Sequence, residues 1–120
     1  MDALTGPRRS FGAFRQAIDA GERIEVSALV LYEWVRGPRS SQELIVQEAL
    51  FPDELAAAFG SREAAIAASL YRRVKRARGR EIDLAIAACA ITREATLWTL
   101  NPRDFEDIPD LPLYDPGAER

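Results

Sequence analysis

Arg80-Glu81-Ile82-Asp83-Leu84-Ala85-Ile86-Ala87-Ala88-Cys89, with the β-rich run Thr96-Leu97-Trp98-Thr99-Leu100 close behind it, decides the fold of this chain. From Glu81 to Arg93 the pattern is helical and almost wholly apolar, so the spacing predicts a helix buried on most sides. The run over 96–100 is rich in β-forming residues and reads as an interior strand. An interior strand fed by a buried helix needs a layer of helix against a layer of sheet. The expected fold class is therefore α/β with a short, mainly parallel sheet.

Outward from this stretch the same alternation continues. Upstream, residues 53–78 form the longest helical pattern, with a break possible at Gly60-Ser61. Leu55, Phe59, Ile66, Leu70 and Val74 keep roughly one face, and Gly79 ends the run. Ser40 or Ser41 starts a helix reaching about Ala49, and Leu50-Phe51 is read as a brief strand before Pro52. Ser27 can cap a helix over 28–36 that Gly37-Pro38 terminates. A short strand over 24–26 and a helix over 10–20, closed by Gly21, precede it. Downstream, a turn leads to a last short strand over 111–114. Nothing marks a repeat or a linker, and 120 residues, 48% hydrophobic, fit a single domain over 1–120.

Composition removes several kinds of chemistry. The chain has no histidine and one cysteine, so it lacks the usual general base near neutral pH and the partner of a serine or cysteine nucleophile. One cysteine cannot build a structural zinc site or an internal disulfide, and Cys89 reads as a small core residue. Carboxylates remain, and they suit hard ions such as Mg²⁺ or Mn²⁺. The glycines are scattered, so no phosphate-cradling loop is present. No signal-peptide pattern opens the chain, and no apolar run approaches the ~18 residues of a membrane span. The protein is expected to be cytoplasmic.

The net charge of −3 hides one strongly basic region: Arg72, Arg73, Lys75, Arg76, Arg78 and Arg80 fall within nine residues. These cations either favour a helix C-terminal dipole in solvent or contact a phosphate backbone, and neither reading excludes the other.

Three carboxylates stand out. Asp104 follows the 96–100 strand by four residues, near the sheet edge where α/β folds bind ligands. Asp83 lies in the first turn of an apolar helix, and Glu33 sits between Tyr32 and Trp34 on another. Both need partners there. Each also has a structural reading. Asp83 favours a helix N-terminus, Asn101-Pro102-Arg103-Asp104 has the form of a cap with Pro at the first helical position, and Glu33 can pair with Arg36 or Arg39.

At these positions the chain resembles a PIN domain of the VapC toxin type, from about Ile24 to Tyr114. Val26-Ser27-Ala28-Leu29-Val30-Leu31-Tyr32-Glu33 resembles the strand, serine and helix bearing the family's glutamate. Arg80 to Ala88 resembles the segment with an aspartate before an Ile-Ala-Ala run, and Leu97 to Phe105 the strand followed by Asn, two residues and Asp-Phe. The resemblance implies a three-layer α/β/α domain and a Mg²⁺- or Mn²⁺-dependent endoribonuclease. It also implies a homodimer neutralised by a VapB-like antitoxin. Glu33, Asp83 and Asp104 would hold the ion, Thr99 and Asn101 would orient the site, and the basic run would meet RNA.

One departure stands beside it. The family opens with an apolar strand ending in a metal-binding aspartate, whereas this chain begins Met1-Asp2-Ala3-Leu4-Thr5-Gly6. The first strand is expected to be missing, and Asp2 has no strand before it to carry that role. The alternative reading is a truncated or degenerate, non-catalytic PIN domain that binds antitoxin or RNA. In-frame upstream codons for an apolar strand ending in aspartate separate a late start from a degenerate domain.

Overall fold

In a computed structural model, residues 25–99 and 101–113 are described. The expected helix over 10–20, and Asp2, Ile24, Leu100 and Tyr114, lie outside the described residues. The chain divides into two units between Ala58 and Phe59.

In the first unit, Ser27 is extended (φ −80°, ψ 153°) and its hydroxyl accepts from Val30 N at 3.1 Å, capping helix α1 (Ala28–Val35). Val30, Leu31 and Trp34 form the buried face. Arg36 closes the helix just before Gly37-Pro38, the stop read from the sequence. Helix α2 (Ser41–Leu50) starts with a capping box: Ser40 Oγ accepts from Glu43 N at 3.1 Å, and Glu43 Oε1 accepts from Ser40 N at 2.9 Å. At its other end the buried Gln47 donates through Nε2 to Phe51 O and Asp53 Oδ1, both at 3.0 Å. Ser27 and Ala57 form a parallel bridge, with Ala28 N donating to Ala57 O and Ala57 N to Val26 O, each at 2.8 Å.

The second unit is built on α3 (Ser61–Arg73) packed against α4 (Glu81–Thr92). Every residue of α4 from Leu84 to Ala90 is buried, as its apolar run predicts, and Ala87 and Ala88 are wholly so. Beyond α4, Leu97, Trp98 and Thr99 are buried. Leu97 bridges Leu113 in parallel, its N donating to Pro112 O at 2.9 Å. A 3₁₀ turn, Pro102–Asp104, follows, and Phe105 and Ile108 seal it into the core.

The strands are shorter than expected. Among the described residues the extended pairing consists of two isolated parallel bridges, so the run over 96–100 contributes one bridging residue, Leu97. Leu50-Phe51 is not a strand: Leu50 is the last residue of α2, and Phe51 N donates to Gln47 O at 2.7 Å as its cap. The helix over 53–78 is three pieces. Asp53–Leu55 is a 3₁₀ turn, 56–60 is non-helical because Ala57 spends its backbone groups on the bridge, and α3 ends at Arg73. Leu55 and Phe59 accordingly lie outside the apolar face and are exposed. After Arg73 the chain turns through Arg76 (φ 57°) and Gly79 (φ 87°), left-handed conformations that no helix can hold.

Candidate active site

Glu33 projects from α1 in the first unit, its side chain 23% exposed, and Arg36 Nη2 lies 3.9 Å from Glu33 Oε2. Such a loose pair one turn apart contributes at most about 1 kcal/mol, so Glu33 is easily redirected to a stronger cation. Arg36 also lies over the Tyr32 ring at 5.5 Å. Arg39, the other partner considered, instead donates from Nε to Trp34 O at 2.9 Å and covers the Trp34 ring at 4.2 Å.

The second unit holds Asp83, Thr99, Asn101 and Asp104. Asp83 is the third residue of α4, where the helix dipole favours a carboxylate. Thr99 is buried, and its hydroxyl accepts from Asn101 N at 3.0 Å, setting the direction in which the chain leaves the core. Asp104 N donates to Asn101 O at 3.0 Å, and Pro102 occupies the first turn position. Asn101 gives no side-chain cap here; the cap reading holds in backbone form only. The Asp104 side chain is exposed.

Arg80 joins these pieces. Its guanidinium makes a two-pronged contact with Asp107, at 2.9 Å to Oδ2 and 2.7 Å to Oδ1, and Nη2 also donates to Asp104 O at 2.9 Å. The Asp107 hydrogen bond is the main cause holding the Arg80 pKa above its ordinary value, and the charges of Asp83 and Asp104 add to it. The same fork holds the Asp107 carboxyl below the usual range. Asp83 and Asp104 therefore share one charge neighbour. Carboxylate oxygens are the hard donors that suit Mg²⁺ or Mn²⁺. Among the described residues, no group of three or more Asp, Glu or Cys side chains converges as a metal centre.

Of the basic run, Arg72 and Arg73 close α3, whose dipole they complement, and Lys75, Arg76 and Arg78 lie on the turn that follows. All five are exposed, and among the described residues none forms an ion pair. Arg80 differs: it is only partly exposed, and both of its terminal nitrogens are engaged. The Arg80–Asp107 fork was missed in the sequence. Its partners are 27 residues apart and follow no periodicity; the only hint is a cation placed just before an apolar helix.

Other polar groups in the second unit serve structure. Glu63 is held below the usual carboxylate range first by the Thr92 hydroxyl and then by Gly60 N, which donates to its Oε1 at 2.9 Å. The Cys89 thiol is 3% exposed and burial pushes its pKa up, consistent with the core role read from sequence. A groove of ≈ 350 Å³ on α3 and α4 is lined by Phe59, Tyr71, Arg72 and Leu84 among others, and by neither Asp83 nor Asp104. Among the described residues, no helix is long and apolar enough to cross a membrane.

Comparison with known proteins identifies the family. The chain is 36% identical over 113 residues to Ribonuclease VapC19 of Mycobacterium tuberculosis, in both strain CDC 1551 / Oshkosh and strain H37Rv, covering 92% of this chain and 90% of each relative. The fold matches a crystal structure of VapBC2 from Rickettsia felis bound to a DNA fragment from their promoter. That match has a TM-score of 0.61 and 20% identity, and covers 94% of this chain and 89% of that one. A PIN domain family model matches residues 2–111, across both units and all three carboxylates, and the chain belongs to the PIN domain family, with its α/β fold.

Proposed function

We propose that this chain is the toxin ribonuclease of a VapBC-type toxin–antitoxin pair, a Mg²⁺- or Mn²⁺-dependent endoribonuclease hydrolysing RNA phosphodiesters. Its support is the extent of similarity to ribonuclease relatives, combined with one observation: Arg80, whose carbonyl accepts from Leu84 N in the first turn of the helix bearing Asp83, also donates from Nη2 to Asp104 O at 2.9 Å. In this reading Glu33, Asp83 and Asp104 hold the ion directly or through water. Bound there, the ion supplies Lewis acidity at the phosphate and lowers the pKa of coordinated water. Thr99 fixes the exit of the chain through its bond to Asn101 N, and Asn101 orients the turn that carries Asp104.

Arg72, Arg73, Lys75, Arg76 and Arg78 bind the RNA backbone. Each phosphate neutralised on a single strand steepens the salt dependence of log affinity by about 0.7. The chain acts as one PIN-like domain, a three-layer α/β/α arrangement with a short, mainly parallel sheet. It works in the cytoplasm as a homodimer with a VapB-like antitoxin as partner.

The test is cleavage of a structured RNA by the purified chain in Mg²⁺, Mn²⁺ or EDTA, beside Asp83→Asn. Cleavage that needs the ion and is lost in the variant supports the reading. RNA or antitoxin binding with no metal-dependent cleavage supports the non-catalytic PIN domain instead.

A further inference from the structure

Arg80 holds the two carboxylates of the second unit by different parts of itself. Its backbone opens α4: Arg80 O accepts from Leu84 N at 2.9 Å, so the residue sets the turn that carries Asp83. Its side chain holds the other carrier. Nη2 donates to Asp104 O at 2.9 Å and to Asp107 Oδ1 at 2.7 Å, and Nη1 donates to Asp107 Oδ2 at 2.9 Å and to Lys75 O at 3.2 Å.

The donor count decides what Arg80 can do. The four terminal N–H groups of a guanidinium are all committed by these four bonds, leaving Nε–H alone. A phosphate needs the terminal fork for a bidentate grip, and taking it would strip Asp107 and release Asp104 O. With its side chain 21% exposed, Arg80 is also the least accessible cation of the basic run. Asp107 has a second effect. It offsets the guanidinium charge, so that Asp83 and Asp104 face a neutralised fork instead of a bare cation competing with an ion.

We infer that Arg80, locked by Asp107, is a positioning residue for the carboxylates Asp83 and Asp104 and not an RNA contact. The inference rests on the metal-site reading above and adds to it two residues that act through the ligands. On the Asp104 side, the grip on Asp104 O is reinforced by Phe105, whose side chain is wholly buried, so the backbone of Asp104 is anchored at its carbonyl and at the following residue.

The experiment measures Mn²⁺ binding to the full chain by electron paramagnetic resonance and RNA binding in EDTA, for wild type, Arg80→Lys, Asp107→Asn and the exposed control Arg62→Lys. All are compared below their melting transitions. Lysine keeps the charge of Arg80 but cannot make the planar fork, and asparagine at 107 keeps the shape but not the charge. Both variants are expected to bind Mn²⁺ about tenfold or more weakly, the range for partners of metal ligands, with RNA affinity in EDTA unchanged. Arg62→Lys is expected to match wild type. Equal Mn²⁺ affinity in wild type and both variants overturns the inference while leaving the metal site standing. Tighter, more salt-dependent RNA binding by Asp107→Asn overturns it too, since a freed Arg80 would then be a phosphate contact. Wild-type protein that binds no Mn²⁺ overturns the metal-site reading and this inference together.

Discussion

Replacing Phe105 by alanine removes the side chain that anchors the Asp104 turn to the core. Phe105 is wholly buried, its N donates to Pro102 O at 3.0 Å, and its O accepts from Ile108 N at 3.2 Å, so its ring is the hinge between the 3₁₀ turn and the core. A buried phenylalanine covers roughly 200 Å², which at about 25 cal/mol per Å² gives an upper figure near 5 kcal/mol. The cavity left behind and partial collapse around it bring the expected loss to about 3–5 kcal/mol. The assay is urea unfolding followed by fluorescence of Trp98, which is buried in the same unit. For a urea dependence of about 2 kcal/mol per M, the midpoint falls by roughly 2 M. Phe105→Leu, which keeps most of the volume, is expected to lose less than half as much. A shift below about 0.5 M for the alanine variant, at unchanged slope, would refute the claim that this ring holds the turn in place.

Three further outcomes follow from the same structure. Ser40→Ala breaks the capping box of α2 and is expected to cost about 1 kcal/mol in urea unfolding, whereas no loss would mean the box is not formed in solution. Acidification is expected to destabilise the fold: Glu63 and Asp107 have depressed pKa values when folded, so the unfolded chain takes up more protons as pH falls. Their contribution is present above the ordinary carboxylate range of about 4 and is lost as pH drops through the lower folded values; a urea midpoint constant from pH 6 to 3 would contradict this. Cys89, buried and with a raised thiol pKa, is expected to react with a thiol reagent only after unfolding, and fast stoichiometric labelling of native protein would place it elsewhere.

The parts of the fold written in local sequence were readable. Ser27 and Gly37-Pro38 mark the ends of α1, Ser40 opens α2 through its reciprocal bond with Glu43, and the unbroken apolar run 84–91 can only be a buried helix. The parts decided by distant partners were not. Leu55 and Phe59 continue the helical spacing of Ile66 and Leu70, yet Ala57 pairs its backbone with Val26 and Ala28 and takes the segment out of helix. Arg76 and Ala77 are acceptable helix residues, and only the turn through positive φ shows that α3 has stopped. For the candidate site, the three carboxylates stood out as acids in apolar settings or near a sheet edge. The Arg80–Asp107 fork had no such signal, because each residue alone looks like an ordinary surface charge.

The measurement that tests the central claim most directly is RNA cleavage in Mg²⁺ by Glu33→Gln, Asp83→Asn and Asp104→Asn, with RNA binding in EDTA measured in parallel. If these carboxylates hold the ion, each change should lower the cleavage rate by more than the ~100-fold that outer partners of metal sites reach, with RNA binding unchanged. Cleavage surviving all three substitutions near the wild-type rate would contradict the account.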